Sequence, residues 1–172
     1  MPTQATAPFA FEVTPHAQHQ ELPLSSPDYD EHIRTPKNIG AIWIEDSEGR
    51  LVRSLQVWAN ERLLDLAKYN RARDLADGKL DGKLSPKDVD ATTSATVRGY
   101  MARHVTWDLK NRAGADVPAG KYTLVVEVAD KDNHEGDNPG EWASVEFDTK
   151  QRPMLMNPEP TQYYTDMKLQ IK

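Results

Sequence analysis

The segment KYTLVVEVAD, residues 121–130, decides the fold because it is dense in β-branched and aromatic residues. Residues of these types favour the pleated, half-buried surface of a β-strand. The apolar run LVV within it ends at Glu127, far short of the ~20 apolar residues that a membrane-spanning helix needs. The segment therefore predicts a β-strand, and we expect no direct membrane insertion.

Three further segments, one before this strand in the sequence and two after it, have the alternating pattern of half-buried strands. They are YMARHVTWD at 100–108, WASVEF at 142–147 and YYTDMKLQIK at 163–172. In the last, the period of two falls on Tyr163, Thr165, Met167, Leu169 and Ile171. In the first, alternation puts His104 and Trp107 on opposite faces, so we expect His104 to face away from the core if Trp107 faces inward.

The N-terminal half adds a strand, a hairpin and a helix. PFAFEV at 8–13 aligns Phe9, Phe11 and Val13 on one side, and GAIWIEDSEGRLVRSLQVW at 40–58 has two apolar runs around DSEG, as in a hairpin. The segment ERLLDLAKYNRARDLAD at 61–77 predicts one amphipathic helix on the side or end of a sheet, capped by Asn60 and ended by Gly78. Its near-helical spacing is carried by Leu63, Leu64, Ala67, Arg71 and Leu75.

Together these patterns predict a mainly β fold, an immunoglobulin-like β-sandwich of about seven strands with one helix inserted before the loop at 89–99. A chain of 172 residues is long enough to form a single core without disulfides or metals. We expect a single domain overall. Residues 1–37 form an N-terminal strand and a long surface connection, and residues 38–172 form the sandwich.

Charge and composition exclude several functions. The chain has 21 basic and 27 acidic residues and a net charge of -6, so it has no diffuse positive field for nucleic acid or anionic membranes. It has no cysteine, no GxSxG elbow and no phosphate-binding glycine loop, and we therefore predict no catalytic residue. The N-terminus has no basic segment followed by an apolar one, so we expect either a cytosolic start or a mature exported sequence that lacks its signal peptide.

Two acidic segments were considered as cation sites, and we predict no metal at either. DGKLDGKLSPKD at 77–88 has the length of a twelve-residue calcium loop, but Lys79 stands where a carboxylate ligand is needed. DKDNHEGDNPGE at 130–141 crowds acidic residues around His134, and a solvated hairpin loop is the better interpretation. His16 and His19 lie three apart without a third ligand, as in surface positions.

The segment WDLKNRAGADVPAGKYTLVVE, residues 107–127, resembles the immunoglobulin-like domain of flagellar hook-capping proteins. The similarity rests on Trp and Asp, a turn with Gly114, and then V-P-x-G-x-Y leading into a strand. Pro118 fixes the chain before the turn at Gly120, and Tyr122 is expected to pack at the start of the strand. This resemblance concerns the fold more than the function.

A longer resemblance takes in residues 38–172. The hairpin, the helix, VDATTSATVRG at 89–99 and WDLKNRAGADVPAGKYTLVVEVA follow one another as in a predicted periplasmic bacterial family, domain of unknown function 2271. The resemblance implies a periplasmic or otherwise exported protein. In that family the middle motif usually reads D-x-x-[ST]-G-A-T. Here it runs from Asp90 to Thr96, with Ser94 in place of the usual Gly.

The same motif marks flavinylation sites in subunits of sodium-pumping NADH:quinone reductases, where a flavin transferase joins FMN through its phosphate to the last Thr. By this resemblance Thr96 is the acceptor of covalent FMN. The partners it implies are a flavin transferase and a membrane-bound redox partner. The implied cofactor-binding residues are Thr96, Asp90, Thr93, Ser94, Ala95 and Arg98.

Two positive side chains follow the motif and are candidates to stabilise a reduced flavin ring, Arg98 and Arg103. For each, however, we expect a solubilising position instead, on the loop for Arg98 and on an outward strand face for Arg103. Trp43, Trp58 and Trp107 are candidates to flank the ring, but we expect all three in the core.

Two functions are consistent with the sequence. The first is an exported electron carrier with covalent FMN. The alternative is a noncatalytic immunoglobulin-like module that supports an assembly or binds a protein, with the 89–99 loop as a connection. The sequence leaves open whether the protein is an enzyme, and it favours an electron carrier or a binding module over a stand-alone enzyme.

Overall fold

The computed structural model describes residues 9–15, 37–59, 63–78, 92–93, 97–98, 100–129 and 141–172. These residues form ten strands, one α-helix and a short 3-10 helix. The strands are β1 (Phe9–Pro15), β2 (Lys37–Glu45), β3 (Leu51–Val57), β4 (Thr92–Thr93), β5 (Val97–Arg98), β6 (Arg103–Trp107), β7 (Lys121–Ala129), β8 (Glu141–Asp148), β9 (Met154–Met156) and β10 (Tyr164–Ile171). The 3-10 helix spans Leu63–Asp65 and the α-helix, α1, spans Ala67–Asp77.

The strands form two sheets. The smaller has the order β6-β1-β10-β9, and the larger has the order β4-β3-β2-β7-β8, with β5 also paired to β2. Strand pairs are antiparallel, except that β4 runs parallel to the end of β3. The predicted mainly β sandwich with one helix is confirmed. The structure adds β9 and the two short strands β4 and β5, which the alternation did not predict because two or three residues carry no clear period.

The main core lies between the two sheets, where the predicted alternation is confirmed. Phe9, Phe11 and Val13 on β1 are all buried in it, and β1 lies between β6 and β10 in the smaller sheet. Trp107 is 1% exposed at the end of β6, whereas His104 on the opposite face is exposed. Tyr122 packs against Trp107 at the start of β7, with 5.5 Å between ring centroids, as the turn pattern predicts.

A second core covers the other face of the larger sheet, where α1 packs. Alternate residues of β2 divide between the cores, with Ile42 and Ile44 in the first and Ala41 and Trp43 in the second. Strand β7 is buried on both faces, which explains why its sequence is a nearly continuous apolar run. The helix thus lies on a face of the larger sheet, and the fold has three layers.

The predicted helix exists and ends where expected. It begins later than predicted, and it buries a different face. It ends at Gly78, which has the left-handed conformation (φ 62°), but α1 begins at Ala67 because the chain leaves helical geometry at Leu66 (φ -91°, ψ 74°). This break changes the phase between the 3-10 helix and α1, so Leu64 and Leu75 are each 54% exposed. The buried residues of α1 are Tyr69, Asn70, Ala72 and Arg73. The predicted cap Asn60 lies outside the described residues.

The period predicted for the last strand is interrupted near its start. Met167, Leu169 and Ile171 are buried as expected, but Tyr164 is buried in place of Tyr163 and Thr165. Asp166 has a positive φ of 54°, and the register between β1 and β10 shifts at this point. A bulge of this kind moves the following side chains to the other face.

Candidate functional site

The flavinylation-like motif is fixed on both sides by strands of the larger sheet. On one side, Thr92 and Thr93 of β4 pair with Gln56 and Val57 at the end of β3. On the other, Val97 and Arg98 of β5 pair with Asn38 and Lys37 at the start of β2. Only residues 94–96 separate the two short strands. We call the end of the sandwich that carries β4 and β5 the motif end.

The predicted cofactor-binding residues divide between described and undescribed parts of the chain. Thr93 lies in β4 and Arg98 lies in β5. Asp90, Ser94, Ala95 and Thr96 lie outside the described residues. The backbone pairing of β4 and β5 nevertheless fixes where the 94–96 segment leaves and rejoins the sheet.

Trp58 joins the end of β3 to the start of β2 at the motif end. Its backbone N–H donates to the Gly40 carbonyl at 2.9 Å, and its indole Nε1 donates to Asn38 Oδ1 at 3.0 Å. The side chain is completely buried. Asn38 is the residue that pairs with Val97, so the indole is one hydrogen bond from the strand that follows the motif.

Arg103 packs on the other side of this indole. Its guanidinium Cζ lies 4.1 Å from the centroid of the Trp58 ring, within cation–π range. Arg103 is the first residue of β6 and only 7% exposed, because it shares the inward face with Val105 and Trp107. The outward, solubilising position considered for Arg103 is therefore wrong. The indole supplies a surface on which a planar guanidinium can stack inside the fold.

Among the residues that the structure describes, no carboxylate matches the charge of Arg103. Its Nε is buried and has no hydrogen-bond partner, and no ion pair joins Arg103 to an acidic residue within the described part of the chain. Burial lowers the pKa of Arg103. A buried cation without a partner is costly to the fold.

Gln56, which pairs with Thr92 of the motif, carries the second orphaned atom at this end. Its side-chain Oε1 is buried without a hydrogen-bond partner among the residues that the structure describes. The motif end therefore offers one unused donor, on Arg103, and one unused acceptor, on Gln56. An anion fits the donor, and a hydroxyl group fits the acceptor.

Tyr164 also lies near the motif end and was not singled out in the sequence. It is 1% exposed, and its hydroxyl donates to the backbone carbonyl of Glu141. Burial, together with the negative charge of Glu127, raises the pKa of Tyr164 well above its usual range. The phenol thus stays protonated at neutral pH and links β10 to the start of β8. The irregularity at Asp166 brings Tyr164 to the buried face, and a strict period of two along the strand does not predict this.

The three tryptophans considered as ring-flanking groups are in the core, as expected. Trp43 and Trp58 are 0% exposed and Trp107 is 1% exposed. Trp58 is the one at the motif end. Trp107 lies at the other end of β6, and its Nε1 donates to the Lys110 carbonyl at 2.8 Å.

A cavity of about 520 Å³ lies near the start of β3, away from the motif end. Two arginines in its lining form ion pairs: Arg50 with Asp46 at 2.8 Å, and Arg112 with Asp77 at 2.8 and 3.0 Å. The two arginines that line the cavity are therefore already ion-paired. The motif end is the better candidate site.

The two acidic segments considered as cation sites lie largely outside the described residues. Of DGKLDGKLSPKD, Asp77 and Gly78 are described, and Asp77 pairs with Arg112. Of DKDNHEGDNPGE, only Glu141 is described. Within the described ranges, no three His, Asp or Glu side chains come together as a cation site would require. In the same ranges, no helix has the length and apolar character to cross a membrane.

The comparisons with known proteins place the chain in one family. No curated protein and no solved structure matches it. The family model described as "Predicted periplasmic protein (DUF2271)" matches residues 34–165, a range that includes the motif, Trp58 and Arg103. This agrees with the family and the exported location expected from the motifs. The chain therefore belongs to the DUF2271 family of predicted periplasmic proteins.

Proposed function

We propose that the protein is an exported electron-transfer protein that carries FMN covalently, through its phosphate, on Thr96. The observation that carries the proposal is the anchoring of the motif on both sides. Strands β4 and β5 hold the residues before and after the 94–96 segment against β3 and β2. An acceptor segment of three residues between two fixed points is short enough to enter the cleft of a modifying enzyme without unfolding the domain.

The attachment is a phosphoryl-type transfer in a flavin transferase. The Thr96 hydroxyl oxygen attacks the FMN phosphorus of FAD, the bond from that phosphorus to the bridging oxygen breaks, and AMP leaves with that oxygen. The hydroxyl proton passes to a base of the transferase, whose Mg²⁺ neutralises the pyrophosphate. This chain supplies only the acceptor hydroxyl and its presentation. The small residues Ala91, Ser94 and Ala95 around it keep the segment narrow.

The residues at the motif end fit such a group. The Arg103 Nε is a buried donor without a partner, which suits an anionic phosphodiester. The Gln56 Oε1 is a buried acceptor without a partner, which suits a hydroxyl of the ribityl chain. Trp58 provides an aromatic surface that already holds the guanidinium.

Covalent FMN would supply one- and two-electron transfer, and this chain would supply its position and its electrostatic environment. The β4 and β5 pairs hold the attachment segment against the sheet. The Trp58–Asn38 hydrogen bond ties the aromatic surface to the strand that follows the segment. A membrane-bound reductase is the proposed redox partner.

The test is coexpression of the chain with a flavin transferase, followed by intact-protein mass spectrometry. The wild type is expected to gain one FMN. Thr93→Val is the matched control, because it removes a hydroxyl from the same motif, and it is expected to be modified. Thr96→Val is expected to gain nothing.

If the wild type gains no mass while a known acceptor domain is modified in the same cells, the electron-carrier function is excluded. The alternative, a noncatalytic immunoglobulin-like module that binds a protein or supports an assembly, then takes its place. Modification of Thr96→Val would instead show that another hydroxyl is the acceptor.

A further inference from the structure

Strand β8 forms one edge of the larger sheet and lacks the features that protect an edge from pairing with another strand. It has eight residues, whereas the other edge strands have five in β6, three in β9 and two in β4. Its sequence, EWASVEFD, contains no lysine or proline, and its pairing with β7 has no bulge. Proteins usually protect an exposed edge by shortening it or by placing those features on it. An edge of this kind is a template for a further strand.

The hydrogen bonds at the end of β8 show which of its backbone groups point toward the open edge. The Thr149 N–H donates to the Gly120 carbonyl at 2.9 Å, in register with the pairs between β7 and β8. Since hydrogen-bonded and non-hydrogen-bonded pairs alternate along an antiparallel ladder, every second residue of β8 directs its N–H and C=O away from β7. Before the turn that follows the strand, these residues are Trp142, Ser144 and Glu146. No hydrogen bond joins their backbone groups to another part of the chain that the structure describes.

The side chains of these residues lie on the exposed face of β8. Trp142 is 45% exposed, and Lys68 Nζ lies 4.4 Å from the centroid of its ring. Glu146 is exposed, lies beside Thr123 of β7, and forms no ion pair with any cation in the described ranges. One end of the edge therefore carries a positive charge on an aromatic ring, and the other end carries an unmatched negative charge.

A second copy of this edge is complementary to the first. When two β8 strands pair antiparallel about Ser144, the residues with outward N–H and C=O groups face one another, and each of those groups gains a partner. Glu146 of each copy then lies opposite Trp142 of the other copy, next to its Lys68. A two-fold axis relates the halves of the contact, so the opposite charges meet in both.

The same backbone groups select this register over its neighbours. In any shifted register, at least one of the outward-facing residues lies opposite Asp148 or beyond the end of β8. The Asp148 carbonyl already accepts the N–H of Gln151 at 3.0 Å and cannot serve the second strand as well. The register about Ser144 is therefore the one that uses the whole open edge.

We propose that the protein forms a symmetric homodimer through β8, in which the two larger sheets join into one continuous sheet. This dimer does not depend on the proposed flavinylation. Strand β4 forms the opposite edge of the larger sheet, so it stays at the outer edge of the joined sheet in both copies. A contact of one strand per copy is small, and we expect a dissociation constant on the order of 100 µM. At low micromolar concentration the chain is then a monomer.

Sedimentation equilibrium from about 1 µM to 1 mM tests the dimer, and the wild type is expected to pass from monomer to dimer over this range. Ser144→Pro removes an N–H that points to the open edge, a position where a strand tolerates proline. It is expected to raise the dissociation constant at least about tenfold. Ser144→Ala is the matched control, because it keeps the N–H and is expected to dimerise as the wild type does. An unchanged dissociation constant in Ser144→Pro overturns the proposal.

Charge exchange tests the register. Glu146→Lys brings a lysine next to Lys68 of the other copy and is expected to raise the dissociation constant about tenfold. Adding Lys68→Glu to that variant restores the opposite charges and is expected to restore most of the affinity. Glu159→Lys makes the same change of charge at an exposed acid outside β8, and it is expected to leave the dimer unchanged. A double variant that binds no more tightly than Glu146→Lys alone overturns the pairing about Ser144.

Residue-resolved hydrogen exchange of the wild type locates the contact without any substitution, so it decides the question even if Ser144→Pro does not fold. The backbone amides of Trp142, Ser144 and Glu146 are expected to exchange more slowly at about 1 mM than at about 10 µM. Those of Ala143 and Val145 point to β7 and are expected to be protected at both concentrations. Equal exchange of the outward amides at the two concentrations overturns the proposal. A wild type that stays monomeric at about 1 mM also overturns it and leaves the edge to a strand of another protein.

Discussion

The carboxylate of Glu127, in the middle of β7, accepts the backbone N–H of Tyr69 at 2.9 Å, and its other oxygen accepts that of Lys68 at 3.2 Å. Glu127 is 0% exposed, and Leu66 at the start of α1 provides no side-chain cap. A residue of the sheet therefore caps the helix that packs on it. The acid interrupts the apolar run of β7 because negative charge is favoured at a helix N-terminus.

We expect Glu127→Ala to reduce the free energy of unfolding by about 2–4 kcal/mol, because it leaves two N–H groups unpaired at a buried helix end. Chemical denaturation measures this loss. Glu146→Ala on the neighbouring strand β8 is the control: Glu146 is exposed, and its removal is expected to change stability by less than about 0.5 kcal/mol. Equal losses in the two variants would contradict the capping role.

The capping residue marks a limit of what the sequence could predict about the fold. Strands such as β1 were predicted well, because a period of two is a local property of the chain. The start of α1 was not predicted well. Its cap, Glu127 on β7, is 58 residues from Tyr69, and the break at Leu66 has no local signal in the sequence. Capping patterns identify helix starts only when the cap is a neighbour in sequence.

The candidate site has the same limit. The motif identified the acceptor segment, since Asp90 to Thr96 are consecutive. Arg103 and Trp58 are 45 residues apart and meet only because β6 begins where β3 ends. A charged side chain in an alternating segment is ordinarily assigned to the outer face, yet Arg103 has the same parity as the buried Val105 and Trp107. This shared parity is the feature of the sequence from which the burial of Arg103 could have been predicted.

Replacing Trp107 with Ala is expected to reduce the free energy of unfolding by about 3–5 kcal/mol through lost burial and a cavity. Trp107 makes edge contacts with Phe9 and Tyr122, at centroid distances of 5.8 and 5.5 Å. His104→Ala, on the exposed face of the same strand, is the matched control and is expected to have little effect. A denaturation midpoint that Trp107→Ala leaves unchanged would show that this ring does not hold the core together.

Glu45→Gln is expected to stabilise the protein at neutral pH. Burial raises the pKa of Glu45, against the opposing effects of its hydrogen bond from Trp43 Nε1 and the charge of Lys68. Because the folded state binds the Glu45 proton more tightly than the unfolded state, wild-type stability falls as pH rises from about 4 through the raised pKa. Gln keeps an acceptor oxygen for Trp43 and does not titrate.

The measurement is the unfolding free energy of both proteins from pH 4 to 8. The advantage of Glu45→Gln should grow with pH and then level off. Asp46→Asn is the comparison, since hydrogen bonds from Arg50 and Glu48 lower the pKa of the Asp46 carboxyl against the effect of its burial. That variant should instead be less stable than the wild type above pH of about 4. An advantage of Glu45→Gln that is independent of pH would refute the desolvation argument.

Gly40→Ala is expected to disrupt the motif end. A Cβ at Gly40 would lie 2.2 Å from Trp58 Cζ2 and 2.6 Å from the Glu127 carbonyl oxygen, so either the indole or the β7 backbone must move. Overpacking against backbone costs about 1–3 kcal/mol or more. Gly120→Ala is the matched control, because a Cβ there meets nothing within 4 Å and the backbone is not in the left-handed region. Denaturation should separate the two variants clearly. Equal stability of the two variants would show that the Trp58 indole and the β7 backbone can accommodate a Cβ at Gly40.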